Sequence, residues 1–205
     1  MAGLLLIAHY IHDVPEPRSL EDVLGTAQRL GTLGSLPIPD VIAHSRLFVD
    51  ALVGVTGAVM DIGTGAGVPG LIIAIDRPDL TLVLTDRREA RMDALARGVT
   101  AMGIRDRVKV LTADVAVLGQ SAEHAGKYDA VVCRGFASPE VTATLARPLL
   151  KNGGTLIVSE PPISDPSRWS VELLNRLGFD PPEYHPGVVC LTANPGVTRL
   201  RVCFT

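Results

Sequence analysis

One stretch of the chain, residues 58–74, restricts the fold more than any other. It contains an apolar run at 59–62, four glycines within 63–70 and a second apolar run at 71–75, which predicts a strand, a tight turn and a helix. Glycines let the backbone reach positive φ and let a ligand approach closely, and the first N–H groups of the following helix have no partner inside that helix. The stretch therefore indicates a turn that binds a nucleotide-like ligand; a purely structural turn is the alternative.

Two kinds of ligand are compatible with this turn. Residues 65–70 satisfy the G-x-G-x-x-G fingerprint of dinucleotide sites, and Asp86 follows about twenty residues later. Asp61, however, ends the strand beneath the glycines, where a carboxylate would repel a pyrophosphate and attract the cationic amino acid end of S-adenosylmethionine. We therefore interpret the D-x-G-x-G-x-G pattern as a site for this methyl donor. Its candidate binding residues are Asp61, Gly63, Thr64, Gly65 and Gly67.

Apolar runs alternate with helical segments after the glycine turn. Continuous apolar runs of this kind are typical of parallel strands that are buried on both faces. The predicted strands are 80–85, 107–111, 128–134 and 155–159, followed by an antiparallel pair at 188–192 and 199–204. The sequence therefore predicts an α/β fold: a doubly wound, Rossmann-like sheet of seven strands with helices on both faces. In this topology the fourth strand lies beside the first.

Two helices are predicted before the sheet, at about 20–30 and 40–53. Ser19 and Asp22 resemble a capping box at the start of the first helix. We expect residues 1–53 to form a helical amino-terminal extension that caps one edge of the sheet or the site, and residues 54–205 to form the α/β core. A chain of 205 residues with 47% hydrophobic residues is expected to form a single domain.

Composition excludes several classes of protein. No apolar run reaches the roughly 18 residues that a membrane span needs. The three cysteines have no paired spacing, which indicates neither a disulfide framework nor a metal site, and His9 and His12 have no third ligand nearby. We therefore expect a cytoplasmic protein without a metal.

Polar residues at the ends of the predicted strands are the remaining candidates for donor binding. Asp86 ends the second strand, where a carboxylate can accept hydrogen bonds from both ribose hydroxyls of an adenosine; capping the next helix is the alternative role. Asp114 and Val115 follow the third strand and are placed to contact an adenine edge. Arg87 and Arg134 complete the candidate donor site.

The segment 87–109 carries a local positive charge. Seven basic residues stand against three acidic ones, a net charge of +4 in a chain whose net charge is −3. This excess suits phosphate groups of a nucleic acid. A solvated helix face with internal ion pairs explains it equally well.

Three motifs together resemble one family. They are 61–70 (DIGTGAGVPG), Asp86 with Arg91, and 134–138 (RGFAS). They are similar to those of the glucose-inhibited division protein B family, whose members methylate N7 of a guanine in 16S ribosomal RNA. The resemblance implies S-adenosylmethionine as cofactor and the RNA of the small ribosomal subunit as partner. It also implies a donor site lined by Gly63, Gly65, Asp86, Asp114, Val115 and Arg134.

The chain departs from this family at positions that would face the RNA. Leu47 stands where the family usually has a histidine, and Glu160 where it typically has a lysine at the end of the fifth strand. The substrate-side candidates are Arg88, Arg91, Phe136, Ser138 and Glu160, with Glu160 at the mouth of the site. No catalytic residue is assigned, because guanine N7 has a lone pair and no proton to remove. A small-molecule methyltransferase is the alternative, followed by an NAD-dependent oxidoreductase or an inactive nucleotide-binding module.

Overall fold

A computed structural model describes residues 16–163 and 165–195. The predicted strand at 199–204 and the pair His9 and His12 lie outside these residues.

In the described residues, seven strands form one mixed sheet. They are β1 (Ala58–Ile62), β2 (Thr81–Asp86), β3 (Val108–Thr112), β4 (Tyr128–Cys133), β5 (Leu150–Ser159), β6 (Glu183–His185) and β7 (Val188–Thr192). Their order is β3-β2-β1-β4-β5-β7-β6; the first five are parallel, and β7 runs antiparallel to both β5 and β6. The predicted seven-stranded sheet is confirmed, and so is the position of the fourth strand beside the first.

The partner of β7 differs from the predicted one. Its outer edge pairs with β6, and a tight turn that contains Gly187 at a φ of +71° joins the two strands. The sequence predicts 199–204 as the antiparallel partner of β7 instead. It gives no signal for β6, because the three residues of that strand are all exposed and show no apolar alternation. A second difference concerns β5, which begins at Leu150, whereas the sequence predicts its start at Thr155.

Helices cover both faces of the sheet. They are α1 (Leu20–Arg29), α2 (Ile38–Ala51), α3 (Gly70–Asp76), α4 (Glu89–Ala101), α5 (Val115–Leu118), α6 (Pro139–Ala146) and α7 (Val171–Leu177), with 3₁₀ turns at Arg147–Leu149 and Pro166–Trp169. Ser19 Oγ accepts a hydrogen bond from the Asp22 N–H at 3.1 Å, as the capping pattern predicts. None of the described helices is long and apolar enough to cross a membrane.

The amino-terminal helices belong to a packed layer of the fold. Side chains of α1 to α4 form one buried cluster against the sheet, which includes Leu24, Phe48 and Ile72. The close approach of α1 to α4 depends on Gly98, because a Cβ there would lie 2.8 Å from Val23 Cγ1. In the predicted amino-terminal cap, α1 and α2 bury their apolar faces on the sheet layer, and the connector between them lines the site.

Candidate functional site

A cavity of about 480 Å³ lies at the carboxyl ends of β1 to β4. Its lining comprises residues 32–34, 63–66, 68, 86–88, 91, 113–115, 134–137, 141 and 145. Parallel strands end at the same edge of a sheet, so residues that are distant in sequence meet here. The structure brings together most of the predicted site: Gly63, Thr64, Gly65, Asp86, Arg87, Asp114, Val115 and Arg134, with Arg88, Arg91 and Phe136. Asp61, Gly67, Ser138 and Glu160 are not part of the lining.

Asp61, in β1, holds the glycine turn in place through hydrogen bonds. Its side chain is fully buried, and its Oδ2 accepts hydrogen bonds from the Thr64 hydroxyl at 2.6 Å and from the Gly70 N–H at 2.8 Å. Burial raises the pKa of Asp61 to about 7. The prediction that Asp61 contacts a ligand is therefore corrected: this carboxyl holds both ends of the turn. The Gly70 N–H, at the start of α3, is used for this support.

Two glycines of the turn serve close packing. A Cβ at Gly63, where φ is +66°, would lie 2.6 Å from Phe136 Cδ2, so this glycine lets the loop after β4 approach the turn. Gly67, at a φ of +93°, faces away from the cavity, since a Cβ there would lie 2.7 Å from Leu71 Cγ and from Leu95 Cδ1. Gly67 is thus a packing residue, which corrects its predicted role in binding.

Two carboxylates border the cavity from neighbouring strands. Asp86 Oδ1 accepts the Arg88 N–H at 3.0 Å, and Asp114 Oδ1 accepts the Ala116 N–H at 2.8 Å and caps α5. Each aspartate therefore uses one oxygen to fix the loop that carries it. Within the described residues neither Oδ2 makes a hydrogen bond, so each retains acceptor capacity toward the cavity.

Four arginine side chains also line the cavity. Arg87, Arg88, Arg91 and Arg134 form no side-chain hydrogen bond or ion pair with any described residue. Arg134 is half-buried, and burial lowers the pKa of its guanidinium, while the charge of Asp61 acts in the opposite direction. The cavity thus carries four cations against the two carboxylates of its strand ends, which suits a ligand or substrate with negative charge.

Two substrate-side candidates are placed elsewhere by the structure. Glu160 is 7% exposed; its Oε1 accepts the Trp169 Nε1–H at 2.8 Å, and its Oε2 lies 3.4 Å from Arg168 Nε. The prediction that Glu160 stands at the mouth of the site is therefore wrong, because this carboxylate is directed to Trp169 and Arg168. Ser138 lies at the amino end of α6, where its carbonyl accepts the Thr142 N–H.

The two positions that depart from the family meet in the structure. The backbone N–H of Glu160 donates to the Gly187 carbonyl at 2.8 Å, and Leu47 Cδ1 lies 2.5 Å from the place of a Cβ at Gly187. Leu47 and Glu160 therefore belong to one packed corner formed by α2, the end of β5 and the hairpin turn. A larger residue at 187 would displace Leu47.

Sequence reasoning missed one wall of the cavity. Thr32, Leu33 and Gly34, in the connector between α1 and α2, line it, as do Val141 and Leu145 of α6. The glycine, serine and proline content of this connector marks it as a loop, which is the signal available in the sequence. Its approach to the carboxyl ends of the strands depends on how α1 and α2 pack.

The strand order, the glycine turn and the helices on both faces define the class of doubly wound, Rossmann-like α/β proteins. The fold is shared with the structure of an O-methyltransferase family protein from Burkholderia thailandensis, with a TM-score of 0.56, 17% identity, and coverage of 78% of this chain and 56% of that one. Within this class the chain belongs to the GidB family, described as rRNA small subunit methyltransferase G, whose model matches residues 36–160.

Individual relatives carry the same description. The chain is 38% identical over 125 residues to the ribosomal RNA small subunit methyltransferase G of Deinococcus radiodurans, over 58% of this chain and 49% of that protein. It is 34% identical over 150 residues to that of Clavibacter sepedonicus, over 71% of this chain and 68% of that protein. The chain thus spans about half the length of the first of these relatives.

Proposed function

We propose that this protein is an S-adenosylmethionine-dependent methyltransferase that modifies N7 of a guanine in 16S ribosomal RNA. One observation carries the proposal: a single cavity joins two carboxylates at the ends of β2 and β3, which suit an adenosine, to four arginines without partners among the described residues, which suit the donor's carboxylate and RNA phosphates. Membership of the GidB family supports the same acceptor.

The residues of the cavity fit the methyl donor. Its volume of about 480 Å³ lies in the range of small-molecule and cofactor sites. Asp86 would accept hydrogen bonds from the ribose hydroxyls, Asp114 and Val115 would meet the adenine edge, and Arg134 would neutralise the carboxylate of the methionine portion. A Cβ at Gly65 would meet no atom closer than Arg91 Nη1 at 3.8 Å, so no side chain crowds this part of the turn. The bound donor supplies a methyl group on a positively charged sulfur.

The protein's own part in this reaction is orientation. Guanine N7 attacks with a lone pair and loses no proton, so no general base is required and none is assigned. Holding acceptor and donor in line converts a bimolecular step into a unimolecular one, which can supply a large share of the acceleration. Phe136, which packs beside Gly63 at the cavity, would offer a face on which the guanine can stack.

The alternatives have less support in the structure. A small-molecule acceptor draws its support from Leu47, Glu160 and the acidic balance of the chain; of these, the Glu160 carboxylate is buried against Trp169 and Arg168. The buried position of Asp61 weakens the argument that its charge repels a pyrophosphate, so family membership is what favours S-adenosylmethionine over NAD.

The test is a methylation assay. Purified protein and labelled S-adenosylmethionine are incubated with small ribosomal subunits from cells that lack this modification, and the nucleosides of the digested RNA are separated. We expect label in 7-methylguanosine. No incorporation, or label in another nucleoside, would refute the proposed acceptor; tighter binding of NAD than of S-adenosylhomocysteine by calorimetry would refute the proposed donor.

A further inference from the structure

A second group of cations surrounds a groove along β3, the edge strand of the sheet. Arg97, Arg105, Arg107, Lys109 and Lys127 line it, and none of them forms an ion pair or a side-chain hydrogen bond with a described residue. We call these five residues the edge cluster. None of them belongs to the lining of the donor cavity.

Cations elsewhere in the described chain are engaged. Arg46 binds Asp76 at 2.8 Å, Arg77 binds Asp79 at 2.6 Å, Lys151 binds Asp129 at 2.8 Å and Arg176 binds Glu140 at 2.6 Å. Described cations with neither an ion pair nor a side-chain hydrogen bond are confined to the donor cavity and the edge cluster. In a chain of net charge −3, this separation gives both regions a local excess of positive charge.

The acids of this region compensate the edge cluster only in part. Glu89 and Asp93 on α4 and Asp106 before β3 form no ion pair of 4.0 Å or less with any described residue. Asp106 and Glu123 line the groove beside five cations. The internal ion pairs of a solvated helix face were one explanation for the positive charge of 87–109, and the described residues do not form them. This favours the other explanation, that the charge binds phosphate groups.

The groove borders the amino ends of β1 to β4 and the cavity lies at their carboxyl ends, and α4 borders both. Arg87, Arg88 and Arg91 border the cavity at the amino end of α4, and Arg97 borders the groove nearer its carboxyl end. Thirteen helical residues span about 20 Å at about 1.5 Å per residue, a distance that covers several consecutive phosphates.

We propose that the groove along β3 binds the phosphate backbone of the RNA that flanks the methylated guanine. This inference rests on the proposed function and extends it by naming the surface that holds the RNA. Cations in a groove that is bordered by the same helix as the cavity would fix the position of the RNA backbone, while base recognition stays in the cavity.

A membrane surface suits this groove less well than RNA. Proteins that bind membranes through a basic surface commonly insert large apolar side chains beside the cations. The large apolar side chains that the described residues expose include Leu36, Val53 and Ile163, and none of those exposed lines the groove.

The test removes two cations of the edge cluster. Arg105 and Lys109 are exposed and their side chains bond to no described residue, so Arg105→Gln/Lys109→Gln should fold normally and bind S-adenosylhomocysteine like the parent protein. With undermethylated small subunits at about 150 mM salt, we expect KM to rise about tenfold. The slope of log K for RNA binding against log salt should fall by about 1.4–1.8, which is 0.7–0.9 for each lost phosphate contact.

The matched control removes two charges on other surfaces. Arg46→Gln/Arg176→Gln breaks two exposed ion pairs, and its KM and salt slope should stay within twofold of the parent values. If the variant in the edge cluster behaves like this control while the parent methylates RNA, the groove proposal is overturned and the proposed function stands. If the parent binds the RNA without methylating it, the proposed function fails. The salt slopes of RNA binding then still test whether the groove holds the RNA backbone. Binding to anionic lipid vesicles but not to RNA would overturn the groove proposal as well.

Discussion

Asp61 is a buried carboxyl group whose protonation depends on the fold. One oxygen accepts two hydrogen bonds and the other, Oδ1, is buried with no hydrogen-bond partner in the described residues. Burial raises the pKa of this group from its usual 3.8 to about 7, while the hydrogen bonds from Thr64 and Gly70 lower it. Between these two values the folded protein binds a proton that the unfolded chain has released. The free energy of unfolding therefore falls as the pH rises from about 4 to about 7.

Replacement of Asp61 by asparagine should remove this dependence. The change Asp61→Asn keeps an oxygen for Thr64 and Gly70, and the new side chain cannot ionise. Between pH 5 and pH 8 the parent protein should lose on the order of 2–3 kcal/mol of unfolding free energy through this group. The loss of unfolding free energy between these pH values should be smaller in the variant by this amount, as measured by urea denaturation at pH 5 and pH 8. Equal losses in the two proteins would show that Asp61 is ionised throughout.

Asp86 is expected to contribute to donor binding without contributing to stability. Asp86→Asn retains an oxygen for the Arg88 N–H and loses the negative charge that would face the ribose. Because a hydrogen bond to a charged group contributes about 1.5–3 kcal/mol, the Kd for S-adenosylhomocysteine should rise about 10- to 100-fold in calorimetric titration. Asp93→Asn, an exposed change on α4, is the control and should leave this Kd unchanged. An unaltered Kd for Asp86→Asn would refute the ribose assignment.

At the scale of elements, the glycine turn and the loop after β4 form one unit. Gly63→Ala places a Cβ 2.6 Å from Phe136 Cδ2, whereas Gly135→Ala meets nothing within 4 Å, and both glycines have a positive φ of similar size. The two variants therefore share the backbone strain of about 1 kcal/mol and differ in the clash. We expect Gly63→Ala to be less stable by a further ~1–3 kcal/mol in chemical denaturation.

A second substitution identifies the source of that difference. In the Gly63→Ala background, Phe136→Leu should restore part of the lost stability, because the smaller side chain makes room for the new Cβ. The same change in the parent protein should destabilise it. Additive effects of the two substitutions would contradict a direct contact between the turn and the loop.

The elements that could be predicted from the sequence are those with a local signal. Continuous apolar runs mark the buried parallel strands, and glycine spacing marks the turn after β1. The first half of β5 was missed because Lys151, Asn152 and Gly153 resemble a helix end followed by a turn. The actual positions of Asp61 and Glu160 depend on partners brought by the fold, Gly70 across the turn and Trp169 beyond a loop, which no periodicity reveals.

At the scale of the whole molecule, β1 and β4 contribute side chains to the buried clusters on both faces of the sheet. One buried cluster includes Val59 and Val132 and the other includes Met60 and Val131, so neighbouring residues of β1 and β4 serve opposite faces. The cavity is built from the ends of these strands and their neighbours. A ligand in the cavity should therefore stabilise the described structure as one unit, in keeping with the predicted single domain.

Thermal unfolding with S-adenosylhomocysteine tests this coupling. At a free concentration about 100 times its Kd, a ligand that binds only the folded state adds about 2.7 kcal/mol to the free energy of unfolding. For a chain of this size that corresponds to a rise in Tm of about 5–10 °C, which calorimetry should record as a shift of one transition. Asp86→Asn at the same concentration should show a smaller rise. Two transitions, of which the ligand moves only one, would contradict the single domain and place the cavity in a separately folding part.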